Sequence, residues 1–245
     1  VTGEAGRPPQ RVGVAVVDLL TANYAVIAVQ AALRHRDATG QGQHIDMALM
    51  DVQVASMINV AQAFLCEGQV AQRNGGEHPS VVPSQAFRCA DGGIMIAAAN
   101  DLQFARLCEA LGVPEIASDE RYQTNGGRVR NRDQLVPALQ EIFAREPVRH
   151  WEARIGEVGV PCGPINDVRQ VFADDQVRHR GLRMEIEHPA AGVLPLLASP
   201  LRMSASPVRY PLPPPLLGQH TEAVLRAVLG LGEAQLADLR AQKVI

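Results

Sequence analysis

The feature that most constrains the fold is an apolar segment near the start of the chain, LLTANYAVIAVQAALRH (Leu19–His35). Its apolar side chains occur around most of the helix circumference, and a helix without a polar face is normally buried on several sides. Asp18 stands directly before this segment, at the position where a helix N-cap is expected. The pattern therefore predicts an enclosed core helix with a carboxylate at its N-terminal end.

The residues around this segment indicate an α/β arrangement. Val12–Val17 is interpreted as a short strand or as an extended approach to the helix. His44–Met50 alternates between apolar and polar residues and predicts a strand, whereas Asp51–Leu65 predicts a second apolar helix. Segments this apolar are typical of an α/β layer that is buried on both faces.

The middle of the chain predicts a smaller α+β domain behind a linker. Glycines and prolines interrupt any regular pattern over 69–83, which is typical of a linker. Asp91-Gly92 is a strong hairpin signal between two strand-like runs. The predicted elements are the strands Ser84–Arg88 and Ile94–Ala98 and the helices Asp101–Leu111, Asn131–Arg145 and Pro147–Val158.

Short elements are predicted in the last third of the chain. Met184–His188 and Val193–Met203 read as strands, and the proline-rich run Pro207–Pro215 as an extended connector. Two helices, His220–Leu229 and Glu233–Gln242, follow. The predicted organisation is part of a large α/β domain over 1–68, a linker over 69–83, a small α+β domain over 84–188, a linker over 189–215, and helices over 216–245 that return to the large domain.

Composition and charge narrow the range of partners. The net charge is −3 and the pI about 6.2, whereas nucleic-acid or anionic-membrane binding favours a basic domain. No apolar run is long enough to cross a bilayer, and no secretory signal is recognised. We therefore expect a cytoplasmic protein with neither a nucleic-acid nor a membrane partner.

The cysteines show no metal-binding or redox pattern. They form no CxxC pair and no metal-ligand spacing with the histidines. We therefore expect no metal site, and small apolar thiols that are buried in a reducing compartment. The four residues are Cys66, Cys89, Cys108 and Cys162.

Two further patterns resemble phosphate sites without meeting their requirements. Gly40–Gly42 and Gly75–Gly76 lack the spacing and the lysine of a P-loop, so both are predicted to be turns. Arg128, Arg130 and Arg132 form the densest basic cluster. They are predicted to be a solvated face, with contacts to phosphates or to substrate carboxylates as the alternative.

Four segments, taken together, resemble the family III CoA-transferases, the CaiB–BaiF family. The most specific is RVGVAVVDLLTANYAVIAVQAALRHRDATGQGQHIDMALMD (Arg11–Asp51). Three others follow in matching order: VVPSQAFRCADGGIMIAAANDLQFARLCEALG (Val81–Gly112), VPCGPINDV (Val160–Val168) and LLGQHTEAVLRAVLGL (Leu216–Leu231). The family includes formyl-CoA transferase, carnitine CoA-transferase and α-methylacyl-CoA racemase. The chain resembles the C-terminal part of such an enzyme.

The resemblance implies a fold and an assembly. The large domain is expected to be Rossmann-like and incomplete here, because family members carry a longer N-terminal segment. That segment supplies most contacts to CoA, so the CoA-binding residues of this chain stay unknown. The resemblance also implies a small α+β domain and an interlocked homodimer.

The resemblance places the catalytic aspartate of the family on Asp18. Moving CoA between carboxylic acids requires a carboxylate nucleophile that forms an anhydride and then a CoA thioester. A helix N-terminus keeps that carboxylate ionised and offers N–H donors to the developing oxyanion. The expected substrates are an acyl-CoA, which brings the coenzyme A, and a small carboxylic acid.

Two other functions stay open at this stage. A racemase would use Asp18 as one acid/base, but the resemblance places Asn100 where that branch has an acidic residue. Asp101 is the neighbouring carboxylate: it is expected to cap the following helix, with the racemase acid as the alternative if the matching positions are shifted by one residue. The alternative of a different class is a catalytically silent truncated chain or scaffold subunit. His35, His44 and His220 lie within the matching segments and are expected to be structural.

Overall fold

A computed structural model describes all residues from Val1 to Ile245, and they form two compact units, Val1–Ile165 and Asn166–Ile245. Helices predominate, and the strands form two small antiparallel sheets. The domain limits that we inferred from the sequence stay a prediction.

The first unit begins with three helices and continues into a sheet that is flanked by five more. The helices before the sheet are α1 (Val16–Thr39), α2 (Leu49–Ala55) and α3 (Ile58–Glu67). The remaining elements are β1 (Ser84–Arg88), β2 (Gly93–Ala97), α4 (Asp101–Leu111), α5 (Pro114–Ser118), α6 (Asn125–Arg130), α7 (Arg132–Phe143), α8 (Val148–Glu157) and β3 (Cys162–Pro164).

Helix α1 is the predicted apolar helix, and it is longer than predicted at both ends. It ends at Gly40, whose φ of 76° is left-handed and whose N–H bonds to the carbonyl of Arg36. None of its residues is buried within this chain, although the sequence predicted enclosure on several sides. Helix α2 packs against it, and most apolar side chains of α1 stay exposed in this chain.

The length of α1 corrects one sequence-based expectation. Over Val16–Thr39 the helix is long and apolar enough to cross a membrane by length and composition. The predicted helix, Leu19–His35, is several residues shorter than α1 at both ends, so its length did not indicate a possible membrane span. The core helix of a soluble protein passes the same test, so α1 does not by itself indicate a membrane.

The segment after α1 differs from the prediction in two ways. His44–Met50 is not a strand: residues 41–48 carry no regular structure, and Leu49 already begins α2. An alternating run becomes a strand only beside a hydrogen-bonding partner, and none pairs with it here. The predicted helix Asp51–Leu65 is two helices bent by 74°, and Ile58, the first residue of α3, has a φ of 42°.

The core of the first unit lies on one face of a three-stranded antiparallel sheet with the order β1-β2-β3. Strands β1 and β2 form the predicted hairpin, with Phe87 opposite Ile94. The Phe87 ring stacks on Phe143 of α7 at 4.5 Å, and Phe143 meets Trp151 of α8 edge-on at 5.5 Å. The indole N–H of Trp151 donates to the Phe143 carbonyl at 2.9 Å. These contacts fix both helices on the sheet.

A fully buried arginine joins three segments around this core. The Arg128 guanidinium donates to the carbonyls of Val82 at 2.6 Å and Tyr122 at 2.9 Å, and to the Asp101 carboxylate at 2.8 Å. It also lies 4.5 Å from the centre of the Phe104 ring. The prediction that Arg128 is solvated is therefore wrong, because these partners satisfy the buried cation.

The other two arginines of the basic cluster differ from each other. Arg132 is partly buried and donates to Glu77 at 3.2 Å and to the His78 carbonyl at 2.7 Å. Arg130 is exposed. Only Arg130 therefore matches the predicted solvated face, because the other two guanidinium groups are used to hold the loop before β1.

The cysteines also differ from one another. Cys89 and Cys108 are buried as predicted, whereas Cys162 is half-buried. Burial raises the pKa of the Cys108 thiol to about 12, so it stays protonated and inert near neutral pH. Cys66 is exposed near the end of α3, which corrects its predicted burial. A helix as apolar as α3 implied a buried thiol, but α3 has no buried residue in this chain.

The second unit is a hairpin with helices before and after it. Its elements are α9 (Val168–Ala173), α10 (Asp175–His179), β4 (Arg183–His188), β5 (Gly192–Leu197), α11 (Thr221–Leu229) and α12 (Glu233–Ala241). The predicted strand pair and both C-terminal helices are confirmed within a few residues, except that the second strand ends at Leu197. The hydrogen bonds from Arg240 hold the pKa of Glu222 below its usual range and join α12 to α11.

We predict that Arg128→Ala lowers the free energy of unfolding of the first unit by about 2–5 kcal/mol, because two buried carbonyls lose their donor. Urea unfolding followed by fluorescence of Trp151, the single tryptophan, measures the loss. The matched control, Arg130→Ala, removes an exposed arginine and should change it by less than about 0.5 kcal/mol. Equal unfolding midpoints for the two variants would contradict the structural role of Arg128.

Candidate active site

Asp18 lies in the first turn of α1, as the third residue of the helix. The N-cap position is taken by Ala15, which makes no side-chain cap, so the predicted capping role of Asp18 is wrong. The reason is that α1 begins two residues before Asp18 rather than after it. The carboxylate nevertheless stays at the positive end of the helix dipole, where an anion is stabilised.

The Asp18 side chain is exposed and lines a pocket of about 500 Å³. It takes part in no hydrogen bond or ion pair of the chain. A carboxylate that is committed to a cap or to a salt bridge would have to break that contact before it could attack a substrate. Asp18 is therefore available as a nucleophile without such a rearrangement.

Unpaired backbone donors lie beside this carboxylate. The first hydrogen bond of α1 runs from the N–H of Leu19 to the carbonyl of Ala15 at 3.1 Å, and the N–H of Val16 bonds to Val14. The N–H groups of Val17 and Asp18 have no partner in the chain, as expected in a first helical turn. Such donors stabilise negative charge that develops on a nearby oxygen.

The rest of the pocket combines an apolar wall with a few polar groups, as ligand sites commonly do. The wall comes from the segment before α1 and its first turn, and the polar groups come from that segment and from the end of α2. The lining residues other than Asp18 are Thr2, Arg11, Val12, Val14, Ala15, Val16, Val17, Gln53 and Ser56. Sequence reasoning singled out none of them, although Arg11 opens the most specific matching segment.

The cap of α4 is Asn100 rather than Asp101, which the sequence predicted. Asn100 is the N-cap of α4, and its side-chain oxygen accepts from the N–H of Gln103 at 2.9 Å. Asp101 does not cap the helix, because its carboxylate binds Arg128 instead. Neither residue lines the pocket that holds Asp18.

The remaining candidates lie elsewhere. His35 is exposed near the end of α1, and His44 is exposed in the irregular segment after it. His220 belongs to the second unit, directly before α11. No group of three or more His, Cys, Asp or Glu residues comes together as a potential metal site. Asp18 is therefore the only sequence-predicted site residue in this pocket.

The family model for CoA-transferase family III matches residues 1–221 of this chain. The human succinyl-CoA:glutarate CoA-transferase is 40% identical over 245 residues, which cover 100% of this chain and 56% of the relative. The succinate–glutarate CoA-transferase of Agrobacterium fabrum is 42% identical over 92% of this chain and 56% of the relative. This chain therefore spans about half the length of these curated relatives.

A solved structure agrees with the family match. A CAIB/BAIF family protein from Brucella suis superimposes with a TM-score of 0.76 at 41% identity, covering 94% of this chain and 59% of that one. The chain belongs to the family III CoA-transferases. The resemblance that the four sequence segments indicated is thereby confirmed.

We predict that Asn100→Ala destabilises the first unit by about 1 kcal/mol, because α4 loses its cap. Asn100→Asp should leave stability within about 0.5 kcal/mol, since Asp caps helices as well as Asn does. Thermal unfolding of the two variants beside the unmodified protein measures both changes. An Ala variant as stable as the Asp variant would contradict the capping role.

Proposed function

We propose that this chain carries the catalytic aspartate of an acyl-CoA:carboxylate CoA-transferase. The observation that supports the proposal most directly is the unpaired Asp18 carboxylate, which lines a pocket at the N-terminal end of α1. Family membership supplies the reaction class. The free N–H groups of Val17 and Asp18 are the candidate oxyanion donors.

In the first half of the proposed reaction, a carboxylate oxygen of Asp18 attacks the thioester carbonyl carbon of the donor. The carbon–sulfur bond breaks and CoA leaves as a thiolate, which gives a mixed anhydride between Asp18 and the acyl group. The thiolate then attacks the Asp18 carbonyl carbon of that anhydride. The donor acid is released as a carboxylate, and CoA is left as an aspartyl thioester.

The second half repeats these steps in reverse with the acceptor acid. Its carboxylate attacks the aspartyl thioester, expels the CoA thiolate and forms a new anhydride. Attack of the thiolate on the acyl carbonyl of the acceptor gives the new acyl-CoA and restores the Asp18 carboxylate. No proton is gained or lost overall, so the reaction needs one carboxylate and no separate acid or base.

The names of the relatives suggest the substrate class. The human and Agrobacterium proteins are named for succinate and glutarate, which are short dicarboxylic acids. We propose that this protein likewise transfers CoA between short dicarboxylic acids.

The exposed apolar surface of α1 supports a further part of the proposal, the homodimer. Leu19, Val26 and Ile27 are each about 60% exposed in this chain. Soluble proteins rarely leave so continuous an apolar surface in water. We propose that other residues of the gene-encoded protein and a second copy cover it in an interlocked homodimer, with α1 within a Rossmann-like domain.

We predict that Asp18→Asn lowers the exchange of label between an acyl-CoA and its free acid by at least about 10³-fold, because an amide cannot form the anhydride. The assay uses the gene-encoded protein. Asp51→Asn is the matched control, since Asp51 occupies the third position of α2 and lies outside the pocket. Circular dichroism checks that both variants are folded.

The same pair of variants yields a second readout. Incubation with acyl-CoA should add CoA, less one water, to the peptide that contains Asp18, as mass spectrometry detects. Near-normal exchange by a folded Asp18→Asn variant would remove Asp18 from the mechanism. A gene-encoded protein that shows neither exchange nor adduct would support the silent scaffold instead.

We predict transfer rather than racemisation. The Asn100 side chain is an amide that caps α4, so it does not act as the second acid/base that a racemase requires. A 2-methylacyl-CoA in deuterated water, without an acceptor acid, should therefore gain little deuterium at its α-carbon. Rapid α-exchange under these conditions would favour the racemase alternative.

A further inference from the structure

The pocket of Asp18 contains one positive charge, which the proposed mechanism does not use. Arg11 lies in the irregular segment before α1, is exposed and lines the pocket. Its guanidinium takes part in no ion pair or hydrogen bond of the chain. Arg128 and Arg132, by contrast, are both held by carboxylates and carbonyls.

Arg11 and Asp18 line the same pocket but form no ion pair with each other. A cation so placed keeps its five N–H donors available for another anion. Val12, Val14 and Val16 line the same pocket and offer it an apolar surface. The pocket therefore contains the Asp18 carboxylate, an apolar wall that can contact the methylene groups of a substrate, and an unpaired guanidinium.

Neutral polar groups complete the same pocket. Gln53 of α2 lines it with its side-chain amide free of other partners, and Thr2 contributes a hydroxyl. Ser56 also lines it, but its hydroxyl donates to the Gln53 carbonyl at 2.8 Å. The amide and the hydroxyl can donate to carboxylate oxygens that Arg11 leaves unpaired.

We propose that Arg11 binds the remote carboxylate of a dicarboxylic substrate, the one that does not react with Asp18. This inference rests on the proposed function, because it assumes that the reacting acyl group meets Asp18. A guanidinium pairs with a carboxylate through two parallel hydrogen bonds, and a partly enclosed pocket strengthens that pair. Arg11 is therefore the residue that makes the enzyme prefer dicarboxylic over monocarboxylic acids of equal length.

A phosphate of CoA is the other anion that an arginine could bind. The long pantetheine arm separates those phosphates from the thioester that Asp18 attacks. A pocket of about 500 Å³ holds the thioester end and a short acyl group, but not the whole of CoA. The carboxylate of the acyl group is consequently the anion that reaches Arg11.

The experiment compares glutarate with pentanoate, which has the same number of carbons but lacks the second carboxylate. In the proposed ping-pong reaction, kcat/KM for the acceptor reports only its reaction with the CoA-loaded enzyme. Arg11→Gln should lower kcat/KM for glutarate about 10- to 100-fold, because charge-assisted hydrogen bonds are lost. The kcat/KM for pentanoate should stay nearly unchanged. For glutarate, the kcat/KM of Arg11→Lys should lie between those of the unmodified protein and Arg11→Gln.

Two controls accompany this comparison in the gene-encoded protein. Arg34→Gln removes an exposed arginine of α1 that lies outside the pocket, and it should leave both acceptors unaffected. Formation of the aspartyl-CoA adduct from acetyl-CoA should be normal in Arg11→Gln, since an acetyl group has no remote carboxylate.

The contrary outcomes distinguish a wrong role for Arg11 from a wrong proposed function. Equal losses for glutarate and pentanoate, or no loss for either, would overturn the role of Arg11 and leave the proposed function standing. If the aspartyl-CoA adduct forms from acetyl-CoA in the unmodified protein but not in Arg11→Gln, Arg11 binds the CoA thioester of the donor instead of the remote carboxylate. An unmodified protein that transfers CoA to neither acid would overturn the proposed function, and this inference with it.

Discussion

The candidate site depends on the residue at which α1 begins. Because the first helical hydrogen bond closes on Ala15, Asp18 falls in the first turn, beside N–H groups that no carbonyl of the chain can reach. A start one turn later would make Asp18 precede the helix. A start one turn earlier would move the carboxylate into the helix body, where the N–H groups are already paired. The observed start leaves both the carboxylate and its neighbouring donors free.

The first unit shows a different principle, in which a buried charge organises the backbone around it. Arg128 binds two carbonyls and the carboxylate at the start of α4, so the loops before β1 and α6 are tied to one helix end. Asp101 is half-exposed, with 56% of its side chain accessible, which limits the desolvation cost of the pair. The pair therefore adds polar contacts between segments that the hydrophobic core also joins through Val82, Tyr122 and Phe104.

Sequence reasoning succeeded where the signals were local. The hairpin β1-β2 followed from Asp91-Gly92, and α4 followed from its apolar spacing and from Gly112, whose φ is 77°. It failed where the answer depends on distant partners. The alternating run His44–Met50 needed a neighbouring strand that these residues do not provide, and composition could not show which arginine of the cluster is enclosed.

The candidate site was predicted only in part, for a related physical reason. Asp18 was identified through its motif, but its position in the helix was not, because helix starts are the least determined part of a sequence pattern. Arg11 was not predicted as a site residue, because an isolated arginine belongs to no periodic pattern. Its presence beside Asp18 is a property of the folded chain, created by the path of the segment that precedes α1.

That path has an evolutionary consequence. The segment from Val12 to Ala15 has no regular secondary structure, whereas Asp18 is held by the hydrogen bonds of a long helix. Substitutions at position 11 can therefore change one lining residue of the pocket while Asp18, the proposed nucleophile, keeps its place. Under the proposed role of Arg11, exchange of this one exposed side chain would change which acids a relative accepts, while the start of α1 and the place of Asp18 stay the same.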